Sequence, residues 1–147
     1  MFKHILIPTD GSRLSHKGIA AGIKLAKATG ARITGLFAAP PATPLIYRDH
    51  LPVGYAPPKD HAKLIKTSAN RCLGIIARAA RKAGVRCELT LVTSDFPAEA
   101  ILDVAKKKKC DVIVIATHGR SGLRGLVLGS ETQKVLAHSP VPVLVCR

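Results

Sequence analysis

The chain has 147 residues, the usual size of one domain, and at that size folding buries roughly two-thirds of the surface an unfolded chain exposes. Hydrophobic residues make up 47% but aromatics only 3%, so the core must be built from Val, Ile, Leu and Ala, and no tryptophan is there to anchor a sugar or base by stacking. Lys plus Arg number 23 against 9 Asp plus Glu, a formal charge of +14 that attracts polyanions, while the longest apolar runs fall short of the ~20 residues a membrane-spanning helix needs.

Met1 leads through Phe2, Lys3 and His4 directly into Ile5-Leu6-Ile7 with no signal-peptide pattern, so a cytoplasmic protein is expected. Residues 3–7 read as the first strand, followed by the polar turn Pro8-Thr9-Asp10-Gly11-Ser12, where the single carboxylate is either a helix cap or a ligand group. Ile19, Gly22, Ile23 and Ala26 then recur at helical spacing, and residues 32–37 form the second strand. Residues 39–59 break the rhythm with six prolines, from Pro40 to Pro58, and are expected to form a mobile flap over one edge of the sheet. Asp49-His50 there and Asp60-His61 just beyond suggest either a metal site or, as the simpler reading, local hydrogen bonding.

The second helix carries Ile65, Ala69, Cys72, Leu73, Ile76 and Ala80 on one stripe and keeps its basic residues off it. After a third strand at 86–92, a third helix opens with Asp95 as cap ahead of Pro97 and closes in the four lysines 106–109, where cations complement the helix dipole. A fourth strand at 111–115, a glycine-rich stretch, a helix at 131–138 and a last strand at 141–146 complete the chain. Cys72, Cys87, Cys110 and Cys146 are widely spaced with no C-x-x-C or Cys/His zinc pattern and read as reduced, buried thiols.

Strands that alternate with helices make parallel pairs with right-handed crossovers, so the expected architecture is a single-domain α/β fold with an open doubly wound sheet. In such sheets ligands bind beyond the carboxyl ends of the strands, where the strand order reverses. The chemistry therefore belongs just after strands, and the stretch from Ala116 through His118, Gly119 and Arg120 to Gly129-Ser130 is the informative one. Its glycines let backbone N–H groups approach a ligand, and Gly129-Ser130 stands at a helix N-terminus, where the dipole favours phosphate. Arg120 and Arg124 would add charge-assisted contacts. It is neither a Walker A loop nor G-x-G-x-x-G, and a loop that merely turns the chain is the competing reading.

The spacing G-x2-G-x9-G-[ST], met here with Ala116 in the first glycine's place, together with Ile5 to Ser12, Pro97, and the run from Asp111 to the C-terminal Val-Pro-Val-Leu-Val strand, resembles the universal stress protein family in its nucleotide-binding branch. The resemblance implies a five-stranded parallel sheet of order 3-2-1-4-5 with about four helices, similar to adenine nucleotide alpha hydrolases. It implies ATP or AMP as ligand, with Pro8, Thr9 and Asp10 holding adenosine and Ala38 lining the base. Gly119 and Gly129 would bring backbone donors, Ser130 and Thr132 would meet phosphate oxygens, and Ile115, Ala116, His118, Arg120 and Glu131 would complete the site. Ala116 puts a methyl at a point of close approach, and Asp10 is the group that would meet a Mg²⁺ ion.

The implied function is a stress-response regulatory module that binds rather than catalyses, and the implied assembly is a homodimer through the edge strand 141–146. One alternative is a nucleotide-free stress protein or weak polyanion binder. Against nucleic acid stand the spread of the charge over outward faces and the near absence of stacking aromatics. The other alternative is slow ATP hydrolysis with His118 orienting water, which lacks a clear second carboxylate beside the phosphates.

Overall fold

The computed structural model of the chain describes residues 1–41, 60–117 and 128–147. Within them the order is β1 (His4–Thr9), α1 (Ser15–Thr29), β2 (Arg32–Ala39), α2 (His61–Ala83), β3 (Cys87–Thr93), α3 (Pro97–Lys107), β4 (Val112–Ala116), α4 (Ser130–His138) and β5 (Val143–Cys146). The sheet is five-stranded and parallel, with order β3-β2-β1-β4-β5, as expected.

Period-two alternation in the strands divides the core in two. Ile5, Ile7, Ile33, Phe37, Val112 and Val114 face α1 and α2, while Leu6, Leu36, Ile113 and Ile115 face α3 and α4. The helices dock by the stripes read from sequence: Ile19, Ile23 and Ala26 on α1, and Ala69, Cys72, Leu73, Ile76 and Ala80 on α2. Gly22 of α1 allows a close approach, since a Cβ there would stand 2.4 Å from Ile7 Cδ1. Helices α1 and α2 end at Gly30 and Gly84, both left-handed, the backbone state that glycine adopts without penalty.

Most strands run past their expected ends. Pro8 and Thr9 continue β1 instead of opening a turn, because β2 pairs with them at Leu36 and Phe37. On its other side β1 pairs with β4 only at Ile5 and Leu6, so Pro8, which has no N–H to give, falls where that ladder has already ended. The parting of β1 from β4 is the switch point of the doubly wound sheet. At the other extreme, β5 begins at Val143 rather than 141, since Ser139 Oγ and Val141 exchange hydrogen bonds of 2.7 and 3.2 Å in a turn just before it.

Candidate functional site

A cleft of about 480 Å³ opens at the parting of β1 and β4. Its first wall is the β1–α1 turn. Buried Thr9 accepts the Gly11 N–H at 3.2 Å and donates to Ser15 Oγ at 3.1 Å, while Ser15 Oγ donates to the Ser12 carbonyl at 2.6 Å. Asp10 Oδ1 accepts the Ser12 N–H at 2.9 Å, an Asx turn that aims the residue into the cleft rather than capping α1. The Ser15 N–H at the start of α1 instead goes to Ser12 Oγ at 3.2 Å. Gly11, at φ 80°, is required twice over: its backbone is left-handed, and a Cβ would lie 2.6 Å from Cys72 Sγ of α2.

The opposing wall is β4 and the start of α4. Ile115, Ala116, Gly129, Ser130, Glu131 and Thr132 all line the cleft. Gly129 donates its N–H to the Thr117 carbonyl at 2.8 Å, so it is not the backbone donor the sequence suggested. The first intrahelical bond of α4 is Gln133 N–H to Gly129 O at 3.0 Å, which leaves the amides of Ser130, Glu131 and Thr132 without an intrahelical acceptor. These three amides and the exposed Ser130 hydroxyl are the donors that α4 presents.

The side chains of Thr132 and Glu131, unlike their amides, are engaged within the protein. The buried Thr132 hydroxyl donates to the Ala116 carbonyl at 3.0 Å and ties α4 to β4. Glu131 Oε2 accepts the Ala98 N–H at 2.9 Å and Oε1 meets Lys134 Nζ at 2.9 Å. Helix α3 is thus capped from a different helix. Its own N-cap position holds Phe96, with no side-chain cap, and Asp95 does not cap it.

Ala38 lies at the end of β2 beside Phe37 and Pro40, and the floor is apolar through Pro97 and Ile101 of α3. Besides these apolar residues Phe37, Pro40, Pro97 and Ile101, sequence reasoning missed polar Ser15, Ser94 and Asp95 as lining residues. The rule that ligands gather at strand carboxyl ends, applied to β3 as well as β1 and β4, would have found the last two. His118, Gly119, Arg120 and Arg124, and residues 42–59 of the proline-rich stretch with Asp49-His50, lie outside the described residues, whereas Ala39 belongs to β2 and Pro40 lines the cleft. His61 Nε2 stands 3.3 Å from the Pro40 carbonyl, and among the described residues no three His, Cys, Asp or Glu side chains converge as a metal site.

The shifted titrations of His4, Cys87, Glu88 and Cys110 sit at the opposite, amino end of the sheet, whereas Cys146 closes β5 at the carboxyl end. His4 of β1, only 3% exposed, is held below its ordinary value by burial and by the Arg32 guanidinium. Burial and then Asp111 push the Cys110 thiol up to about 11, and burial likewise raises Cys87 and Cys146. All four cysteines are free; Cys72 and Cys110 are buried as expected, whereas Cys87 and Cys146, at the start of β3 and the end of β5, are only half-buried.

The chain matches the universal stress protein family model over residues 1–147. It is 35% identical over 147 residues to a universal stress protein of Thermus aquaticus, with 100% of both chains covered. A universal stress protein solved in complex with cAMP superposes with a TM-score of 0.71 at 22% identity, covering 99% of this chain and 97% of that one. One from Archaeoglobus fulgidus solved in complex with dAMP does so at 0.67 and 16%, covering 100% and 98%. Among the described residues no helix is long and apolar enough to cross a membrane.

Proposed function

The chain belongs to the universal stress protein family, and we propose that it binds an adenine nucleotide, ATP or AMP, in the cleft between β1 and β4 and serves as a stress-response regulatory module. One observation carries this reading. The Asp10 turn and the uncapped amides of α4 face each other across an apolar-floored cleft of about 480 Å³, within the ~300–1,000 Å³ that small-ligand sites occupy. The cAMP and dAMP complexes of fold relatives support the ligand class.

In this reading Pro8, Thr9 and Asp10 hold the adenosine, Ala38 and Ile115 flank the base, and the Ser130 hydroxyl with the amides of residues 130–132 takes the phosphate. Glu131 and Thr132 position those amides, and Ala116 keeps the β4 end in register through its carbonyl. His118, Gly119 and Arg120 enter on the sequence motif alone. A Mg²⁺ ion would arrive with the nucleotide's phosphates, with Asp10 as its protein carboxylate. Occupancy regulates only if the ligand binds two states of the protein unequally. A second copy of the chain pairing along β5, whose Leu144 is exposed, supplies such a pair of states.

Calorimetric titration with AMP and ATP, backed by native mass spectrometry of the purified protein, tests this. Asp10→Asn and Ser130→Ala should each weaken binding about tenfold, the cost of one charge-assisted or phosphate hydrogen bond. No heat and no bound mass at millimolar adenylate would overturn the reading.

A further inference from the structure

The charge of the molecule is not evenly spread. Neither α1 nor α2 contains an Asp or a Glu, while Glu99 and Asp103 lie on α3 and Glu131 on α4. Helix α1 carries Lys17, Lys24 and Lys27, and α2 carries six Lys or Arg between Lys63 and Lys82, all exposed. Along the sequence these cations read as solvated outward faces. The topology changes that, because α1 and α2 cover the same face of the sheet and their cations add over one surface. The ion pairs between described residues, Lys108–Glu88 and Lys134–Glu131, both lie elsewhere.

We propose that this α1–α2 face binds the phosphate backbone of double-stranded nucleic acid without sequence preference, as a site separate from the cleft. From Lys63 to Lys82 the helix advances about 28 Å at ~1.5 Å per residue, the length over which one strand of a duplex presents about eight phosphates. Neither helix contains a Phe, Tyr or Trp, and each has a single histidine, His16 and His61, in its first turn, so a single strand finds no row of rings on which to stack successive bases. An anionic lipid surface rewards an apolar face laid into it. Here the apolar stripes of both helices are consumed by the sheet, leaving Leu64 as the exposed large hydrophobic residue among the described residues of the pair. A rigid, densely charged phosphodiester array is the complement that remains.

The test is fluorescence anisotropy of two unrelated labelled duplexes with the full chain. Both should bind equally, with Kd rising about a hundredfold between ~50 and ~200 mM salt, as release of counterions from about four phosphates requires. The triple variant Lys66→Glu, Arg78→Glu, Lys82→Glu should weaken binding at least about tenfold. The triple Lys106→Glu, Lys107→Glu, Lys109→Glu, with the same change of net charge, should leave it within about threefold. If the α2 triple loses its helical circular dichroism, Lys17→Glu, Lys24→Glu, Lys27→Glu on α1 carries the same expectation. Equal losses from the two triples, no duplex binding at low salt, or tighter retention on phosphatidylserine vesicles than on duplex would each overturn the assignment.

Discussion

Replacing His4 isolates a buried group whose charge state near neutral pH is dictated by the fold. Arg32 has only donors, so the 3.1 Å contact from its guanidinium makes His4 Nδ1 an acceptor. The proton then sits on Nε2, which donates at 2.8 Å to Thr34 Oγ1, and that hydroxyl donates onward to Glu88 Oε1 at 3.3 Å. Glu88 is paired in turn with Lys108 at 2.6 Å, and Asp111 accepts the backbone N–H groups of Lys3 and His4. Glu88, Asp111 and the Lys108 backbone favour a second proton on the ring, but burial and then Arg32 outweigh them and hold its pKa below 6.5. Between the folded value and 6.5 the unfolded chain therefore binds more protons, and stability falls as pH is lowered through that window, by at most about 1.4 kcal/mol per pH unit. Glu88, held low chiefly by its bond to Lys108, loses its own contribution only as pH falls from its ordinary 4.5 through its lower folded value, outside this window. Urea unfolding followed by far-UV circular dichroism from pH 7.5 to 5 measures this, since the chain has no tryptophan to report by fluorescence. Gln at position 4 keeps one acceptor and one donor but cannot titrate, so His4→Gln should lack the slope. Superimposable pH profiles for the two proteins, or a wild type that gains stability on acidification, would refute the network.

Other consequences follow from single contacts. Glu131→Ala uncovers the Ala98 N–H at the start of α3 and should cost about 1 kcal/mol in urea unfolding, with Glu131→Gln recovering part of it. Lys109 closes α3 at φ 54°, with Cys110 N–H bonded to Ala105 O and Lys109 N–H to Lys106 O, so Lys109→Gly should stabilise by about 0.5–1 kcal/mol. Gly11→Ala meets Cys72 Sγ as well as backbone strain and should cost at least about 2 kcal/mol while weakening adenylate binding, whereas Cys72→Ala in the same chain should restore part of the stability. Cys110, pushed up to about 11 by burial, should resist a thiol reagent at pH 8 until the protein is unfolded.

The layer order of the fold was legible because Ile5, Leu6 and Ile7 alternate between two helical faces and because each crossover helix carries an unbroken apolar stripe. The ends of strands were less so. Pro8 looks like a turn residue in isolation and is tolerated in β1 only because β4 has already parted from it, a fact of three strands and not of one. The cap of α3 was misread for the same kind of reason: Asp95 has the right spacing, but the N–H group goes to Glu131, 33 residues further on. Gly129 lines the cleft, yet its amide is claimed by Thr117, and no local pattern announces that pairing. Residue types around the site were readable from sequence; which hydrogen-bonding groups remain open to a ligand required the packing.

Backbone chemical-shift mapping of ¹⁵N-labelled protein titrated with AMP and with ATP observes directly where an adenylate sits. Saturable shifts centred on the amides of Gly11, Ala38 and residues 130–132, with the α1–α2 lysine face undisturbed, are the predicted result. Shifts confined to that lysine face, or none at millimolar nucleotide, would contradict it.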